Sequence, residues 1–151
     1  RDRVRAALFN SLGDISGLEV WDAFAGSGAL AFEAVSRGAA FALATERDRK
    51  AYQILKANAE KLKAYNVQAT KASCKAWSAN NVEKQFDIIF CDPPYNNLQL
   101  STVFALKKHL KPKGLMVLSY PGREPVPDAI GVVVVDNRIY GDAALAIYQL
   151  R

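Results

Sequence analysis

The stretch GLEVWDAFAGSGALAFEAVSRGA, residues 17–39, decides the fold class of this chain. Residues 17–22 form a short hydrophobic run that predicts a β-strand, and residues 26–39 predict a helix that ends at Gly38. Between them, Gly26 and Gly28 allow the backbone to turn tightly and to approach a ligand without obstruction from Cβ atoms. A strand that enters a helix through such a turn is typical of the first unit of a nucleotide-binding sheet.

The alternation of strand and helix patterns continues along the rest of the chain. Apolar runs predict further strands at residues 41–46, 66–72, 86–91, 114–120, 131–136 and 143–150. Helical periodicity predicts further helices at residues 3–12, 49–64 and 98–110. We expect Asp48 to cap the N-terminus of the helix at 49–64, with Ile54, Leu55 and Leu62 facing inward.

These elements predict an α/β fold with a mostly parallel seven-stranded sheet and helices on both faces. No helix separates the last two predicted strands, so we expect them to form an antiparallel C-terminal hairpin. Residues 1–151 are predicted to form one domain, and the start without methionine inside a helical pattern predicts a missing N-terminal segment. Ligands of such sheets bind beyond the carboxyl ends of the strands, where the strand order reverses.

The composition is that of an ordinary globular protein with a mild positive charge. Half of the residues are hydrophobic, 23% are charged, and the net charge is +5. The sequence shows neither an apolar run long enough to span a membrane nor a signal-peptide pattern, so we expect a cytoplasmic protein. The basic residues that favour a polyanionic partner form two groups: Arg1, Arg3 and Arg5, and Lys107, Lys108, Lys111 and Lys113.

The cysteine and histidine content predicts neither a disulfide framework nor a metal site. Cys74 and Cys91 are the two cysteines, and they suit a reducing compartment. His109 is the single histidine, and we expect it at a helix C-terminus or on the surface.

Two strand ends carry residues suited to binding a nucleotide. After the first strand, Gly26-x-Gly28-x-x-Ala31 matches the loose dinucleotide fingerprint and leads to the N–H groups of a helix N-terminus. After the second strand, Glu46 lies twenty residues beyond Gly26, where a carboxylate accepts hydrogen bonds from both ribose hydroxyls. The alternative is a solvated acid paired with a neighbouring arginine. NAD and S-adenosylmethionine share this geometry, so these residues leave both cofactors open.

The fourth strand, FDIIFC at residues 86–91, ends in Asp92, Pro93, Pro94 and Tyr95. Consecutive prolines fix φ and lack N–H groups, so we expect the carbonyls of Asp92 and Pro93 to point outward. The Asp92 carboxylate and the Pro93 carbonyl are suited to accept hydrogen bonds from one planar amine, and Tyr95 offers a face on which a heterocycle stacks. The residues after the fourth strand therefore predict a site that binds the exocyclic amine of a nucleobase. A dehydrogenase would instead need a proton-relay residue.

The blocks at residues 22–30, 86–95 and 138–148, together with Glu46, resemble the class I S-adenosylmethionine-dependent amino-methyltransferases, which have a Rossmann-like fold. The opening DRVRAALFNSL and the FAGSGAL and EAVSRGA segments are similar to signatures of the bacterial family that methylates guanine N2 in small-subunit ribosomal RNA. The resemblance covers residues 2–148. It implies S-adenosylmethionine as cofactor, and ribosomal RNA or an assembling small subunit as partner. A monomer is our default expectation.

The resemblance also implies a role for each residue of the site. It places the methionine part of the cofactor against Asp22, Phe24, Ala25, Gly26, Ser27 and Gly28. It places the ribose on Glu46, the adenine near Arg47, Ser73 and Cys74, and the target base against Asp92, Pro93, Pro94 and Tyr95.

The sequence departs from the family pattern at two places. Ser73 stands where the family tends to have Asp or Asn, and Ser119 and Tyr120 stand where an acidic residue is common. The motif of residues 92–95 is shared with adenine-N6 DNA methyltransferases, so an adenine-N6 or other amino-methyltransferase is one alternative. A non-catalytic nucleic-acid-binding module is another, and it predicts that no cofactor binds.

Overall fold

The computed structural model describes residues 2–151; Arg1, predicted to belong to the basic N-terminal group, lies outside the described residues. The strands are β1 (Glu19–Asp22), β2 (Phe41–Glu46), β3 (Val67–Lys71), β4 (Phe86–Cys91), β5 (Leu110–Pro121), β6 (Val132–Tyr140) and β7 (Ala143–Leu150). The helices are α1 (Asp2–Leu12), α2 (Ala29–Ser36), α3 (Arg49–Lys61), α4 (Cys74–Asn80) and α5 (Leu100–Ala105). A 3₁₀ helix, Leu106–His109, connects α5 to β5.

The seven strands form one sheet in the order β3-β2-β1-β4-β5-β7-β6. Strands β1 to β5 pair in parallel, whereas β7 is antiparallel to both β5 and β6. This arrangement confirms the predicted mostly parallel sheet with an antiparallel C-terminal hairpin. The strand order reverses between β1 and β4, so the carboxyl ends of these two strands open the crevice in which sheets of this type bind ligands.

Buried apolar residues lie on both faces of the sheet because successive side chains of a strand point to opposite sides. Val20 belongs to one cluster, with Leu8 of α1 and Leu55 of α3, and Trp21 belongs to the other, with Val103 of α5. Helices therefore cover both faces, as the sequence predicts. Among residues 2–151, no helix has the length and apolar character needed to cross a membrane.

The bounds of β2, β4 and β7 agree with the predicted strands, whereas the segment around β5 differs. The predicted helix at 98–110 is a shorter α-helix followed by the 3₁₀ turn, and β5 begins at Leu110, where it pairs with Phe86. The apolar residues of this segment fit both periodicities, so pairing with β4 decides where the strand begins. Helix α4, whose N-cap is Ser73, was not predicted.

The prediction for the inward face of α3 is right for one residue and wrong for two. Asp48 caps the helix by accepting a hydrogen bond from the N–H of Ala51 at 2.9 Å, and Leu55 is fully buried. Ile54 and Leu62, however, are 53% and 59% exposed. Ile54 is one residue away from Leu55, an offset that moves a side chain by about 100° around a helix, and Leu62 is the C-cap that follows the last helical residue, Lys61.

His109 is the last residue of the 3₁₀ helix, which agrees with the predicted helix C-terminus, but it is fully buried, so the alternative of a surface residue is wrong. Its Nδ1 donates to the carbonyl of Lys84 at 2.6 Å, since a carbonyl only accepts, and its Nε2 then accepts from the hydroxyl of Ser78 at 2.7 Å. Burial lowers the pKa of this imidazole. The Trp21 ring packs edge-on against it at a centroid distance of 5.3 Å, so His109 joins α4 to the core.

Candidate active site

A groove of about 970 Å³ opens beyond the carboxyl ends of β1, β2 and β4, at the reversal of strand order. It brings together the predicted site residues Asp22, Phe24, Ala25, Gly26, Ser27, Glu46, Arg47, Ser73, Cys74, Asp92, Pro93, Pro94 and Tyr95. Gly28 is the predicted residue that does not line this groove. Segments separated by up to about half of the chain thus form one site because parallel strands end at the same edge.

Gly28 shapes the loop after β1 instead of facing the groove. It is the N-cap of α2 with φ of +95°, a conformation that favours glycine, and its N–H donates to the carbonyl of Ala25 at 2.8 Å. A Cβ atom at this position would lie 2.5 Å from Cε2 of Phe32 and 2.6 Å from Cδ1 of Leu55. The absence of a side chain therefore lets the loop pack directly on α2 and α3.

Glu46 joins the ends of β1 and β2 through main-chain hydrogen bonds. Its Oε1 accepts from the N–H of Gly26 at 2.9 Å, and its Oε2 accepts from the N–H of Asp48 at 2.7 Å. Each carboxylate oxygen has a second lone pair. Glu46 is thus oriented by the backbone while it keeps acceptor capacity for a ligand with two hydroxyl groups.

Thr45 stabilises the loop after β1 through hydrogen bonds to its backbone, and it was not predicted as a site residue. Its Oγ1 donates to the carbonyl of Ala23 at 2.9 Å and accepts from Nε1 of Trp21 at 3.0 Å. Its own carbonyl accepts from the N–H of Ala25 at 3.0 Å. A hydroxyl near the end of a buried apolar strand was the available sequence signal, because such a group needs partners nearby.

Asp22, the last residue of β1, is a buried carboxyl group at the floor of the groove. Its Oδ2 accepts from the N–H of Ala31 at 3.2 Å, and its Oδ1 is buried with no hydrogen-bond partner within residues 2–151. Burial, with further contributions from the Asp92 and Glu46 charges, raises the pKa of Asp22 to about 7. A buried acceptor without a partner, beside two other acids, fits a cationic or hydrogen-bond-donating group of a ligand.

The N-terminus of α4 forms the side of the groove that the resemblance assigns to the adenine. Ser73 Oγ caps this helix by accepting from the N–H of Ala76 at 3.1 Å, so the hydroxyl has a structural role. Cys74 follows it and is buried. Burial raises the pKa of the Cys74 thiol to about 11, and it also raises the pKa of the buried Cys91 thiol well above its ordinary value. Both thiols are therefore protonated at neutral pH and are poor nucleophiles.

The segment of residues 92–95 leaves β4 and runs along the edge of the groove. Tyr95 shares a hydrogen bond of 2.7 Å between its Oη and Oγ of Ser119, which lies near the end of β5. The carbonyl of Pro94 accepts from the N–H of Asn97 at 3.0 Å and closes a turn. The Tyr95 ring is thereby fixed from its hydroxyl end by the neighbouring strand.

A second, smaller cavity of about 120 Å³ lies on the other side of Asp92 and Tyr95, between α1 and the ends of β4, β5 and β7. It shares four lining residues with the groove: Ala29, Leu30, Asp92 and Tyr95. Most of its remaining wall is apolar, and its polar groups include Arg5 and Ser119. Of the four shared residues, the sequence predicted Asp92 and Tyr95 as site residues, and it did not predict that α1 lines this cavity.

The groove and the smaller cavity thus share a carboxylate and an aromatic ring, Asp92 and Tyr95, at this junction. Within residues 2–151, no cluster of three or more His, Cys, Asp or Glu side chains has the arrangement of a metal site. The arrangement suits group transfer between two bound molecules by positioning and electrostatics.

Comparisons with known proteins agree with this geometry. The family model described as "Conserved hypothetical protein 95" matches residues 1–149. Ribosomal RNA small subunit methyltransferase D of Haemophilus influenzae is 32% identical over 155 residues, which cover 98% of this chain and 80% of that protein. The solved structure of yhhF from Escherichia coli is 32% identical to this chain and superposes on it with a TM-score of 0.90. The match covers 100% of this chain and 88% of the yhhF chain. A ribosomal protein L11 methylase from Lactobacillus delbrueckii subsp. bulgaricus shares the fold at 19% identity, with a TM-score of 0.75, and covers 97% of this chain and 77% of its own.

Proposed function

The chain belongs to the "Conserved hypothetical protein 95" family, and from this premise we propose that it methylates the exocyclic N2 amine of a guanine in small-subunit ribosomal RNA. It is an S-adenosylmethionine-dependent methyltransferase with a Rossmann-like class I fold. The observation that carries the choice of an amine target is the junction of the groove and the smaller cavity at Asp92 and Tyr95.

The groove residues fit S-adenosylmethionine by charge and by hydrogen-bonding capacity. Oδ1 of Asp22, which has no hydrogen-bond partner among residues 2–151, would accept from the ammonium group of the methionine part, beside the loop of residues 24–27. Glu46, held by Gly26 and Asp48, would accept from the ribose hydroxyls. The adenine would lie against residues 47 and 73–74. The cofactor supplies an electrophilic methyl group on a positively charged sulfur.

The smaller cavity is suited to a purine whose amine points toward the groove. Asp92 and the Pro93 carbonyl would accept hydrogen bonds from N2, which favours a pyramidal nitrogen with its lone pair directed at the groove. Tyr95, fixed by Ser119, would stack on the base and replace the stacking that the base loses on leaving the RNA. Pro94 makes this segment rigid. The chain therefore contributes orientation and charge stabilisation near the developing positive nitrogen.

No strong base is needed for the proton that leaves N2. A methylated ammonium nitrogen is acidic, so Asp92 or water accepts its proton after transfer. The pKa values of Cys74 and Cys91 exclude both thiols from this role at neutral pH.

The experiment that tests the proposal incubates the chain with S-adenosylmethionine and small-subunit ribosomal RNA from cells that lack the modification. The nucleosides are then separated and identified by mass spectrometry. N2-methylguanosine is the expected product. N6-methyladenosine would favour the adenine-N6 alternative, and failure to bind the cofactor would favour a nucleic-acid-binding module. Repeating the assay with assembled small subunits shows which form of the RNA is the substrate.

We also propose that the enzyme acts as a monomer in the cytoplasm, where ribosomal RNA of bacteria is made. The mass in solution, measured by light scattering with and without RNA, tests the first part. A dimer at micromolar concentration would contradict it.

A further inference from the structure

Helix α1 forms one wall of the smaller cavity through Val4, Arg5 and Leu8. Val4 and Leu8 add apolar surface, whereas Arg5 is the one basic side chain among the lining residues that the structure describes. Asp92 is the one acidic side chain in the same set. The cavity thus combines a hydrogen-bond acceptor next to the groove with a strong donor on α1.

Acidic neighbours on α1 and α2 hold the Arg5 side chain in position. Its Nε lies 3.6 Å from Oε1 of Glu33, and its Nη2 lies 3.2 Å from Oδ1 of Asp2. Oε2 of Glu33 is also paired with Nε of Arg37 at 2.7 Å. A guanidinium has five N–H donors in a planar fork, so these two contacts leave donors that a ligand in the cavity can use.

Guanine carries donors and acceptors on different parts of its ring, which matches this pair of charges. N2 and N1–H are donors, and O6 and N7 are acceptors. Arginine is the commonest partner of guanine O6 and N7, whereas adenine has a donating amine in place of O6. A base with its amine at Asp92 would therefore be favoured when an acceptor faces Arg5.

We propose that Arg5 determines specificity for guanine by donating to O6 of the target base while Asp92 accepts from N2. This inference rests on the proposed function, because it needs guanine as the methylated base. It assigns to the N-terminal helix a role in reading the base in addition to its packing on the sheet.

The test uses RNA substrates that differ at the O6 side of the target base. Once the methylated position is mapped, the same RNA is made with guanine or with 2-aminopurine there; 2-aminopurine keeps the N2 amine but lacks O6 and the proton on N1, and both proteins meet the same pair of substrates. We expect Arg5→Met to lower kcat/KM on the guanine substrate about ten- to hundredfold, the size of one specific base contact. The same variant should change kcat/KM on the 2-aminopurine substrate less than threefold.

The comparison of the two substrates separates base reading from other roles of Arg5. A contact with RNA phosphates, or a loss of folded protein, would lower both rates equally and would overturn the inference. Unchanged rates on both substrates would overturn it as well. If the unmodified protein methylates no guanine, the proposed function fails and this inference fails with it. If guanine is methylated but the ratio of the two rates is the same in Arg5→Met, only this inference fails.

Two matched variants control for charge and for the ion pairs around Glu33. Arg37→Met removes the other arginine of Glu33, and Arg37 does not line the cavity. Arg3→Met removes a positive charge from the exposed part of α1. Both should leave the ratio of guanine to 2-aminopurine rates as in the unmodified protein, and a change as large as that of Arg5→Met would contradict a role specific to Arg5.

Discussion

The main-chain N–H of Gly26 donates a 2.9 Å hydrogen bond to Oε1 of Glu46, which ties the loop after β1 to the carboxylate at the end of β2. The other oxygen of the same carboxylate accepts from Asp48 at 2.7 Å. The side chain that the proposed function places on the ribose is therefore oriented before any ligand binds. Preorganisation of this kind lowers the entropy that binding would otherwise cost.

Replacement of Glu46 by glutamine should weaken cofactor binding, because one oxygen becomes an amide that donates and the charge is lost. Hydrogen bonds to charged groups contribute roughly 1.5–3 kcal/mol, so we expect about a ten- to hundredfold rise in Kd for S-adenosylhomocysteine. Isothermal titration calorimetry measures this Kd for both proteins. Glu60→Gln, an equal charge change on the exposed side of α3, is the control and should leave Kd unchanged. Equal affinities of Glu46→Gln and the control would contradict the assignment.

The two glycines of the loop should respond differently to alanine. Gly28→Ala brings Cβ against Phe32 and the fully buried Leu55, whereas a methyl group at Gly26 would meet no atom within 4 Å. Both have positive φ, which costs an L-residue about 1–2 kcal/mol. Overpacking adds about 1–3 kcal/mol for Gly28→Ala alone. Urea unfolding measures the difference, and a Gly26→Ala protein of equal or lower stability would show that packing does not distinguish the two positions.

The stability of the protein without ligand should fall as pH rises from about 4 to 7 through Asp22. Its pKa is raised from 3.8 to about 7 in the folded state, so the folded protein binds one more proton than the unfolded chain in this window. Above pH 7 this contribution to the slope disappears. Urea unfolding at several pH values measures it for the unmodified protein and for Asp22→Asn, in which the decline should be smaller. Asp128→Asn, at an exposed position, should keep the decline; an unchanged slope in Asp22→Asn would show that Asp22 is charged throughout.

Loss of the hydrogen bond between Tyr95 and Ser119 should lower transfer more than folding. Ser119→Ala and Tyr95→Phe each remove one partner of the 2.7 Å contact, and a neutral hydrogen bond contributes about 0.5–1.5 kcal/mol. We expect a roughly two- to tenfold loss of kcat/KM in each variant and no further loss in the double variant, because the two changes remove the same interaction. Additive losses would show that the two hydroxyl groups act separately.

Much of the sheet and of the groove could be predicted from the sequence because local patterns encode them. The apolar runs of β2, β4 and β7 predicted the correct bounds, and the short motifs at the strand ends meet because parallel strands end at one edge. Each of these patterns is contained within a few consecutive residues. It can therefore be recognised without knowing how distant segments of the chain pack.

The smaller cavity and the burial of His109 could not be predicted in the same way. Arg5 lines the same cavity as Asp92 and Tyr95, and Ser119 is hydrogen-bonded to Tyr95, although both are distant from residues 92–95 in the chain. His109 is buried because Ser78 and the Lys84 carbonyl, both far along the chain, satisfy its two nitrogens. Such partners become visible only when the tertiary structure is known.

Transfer to guanine N2 at Asp92 is tested most directly with S-adenosylmethionine that carries a trideuterated methyl group. The unmodified protein and Asp92→Ala are incubated with ribosomal RNA that lacks the modification, and the nucleosides are analysed by mass spectrometry. We predict N2-trideuteromethylguanosine from the unmodified protein and none from Asp92→Ala, which should bind S-adenosylhomocysteine with nearly unchanged affinity. A label on another base, or an undiminished yield from Asp92→Ala, would contradict the account.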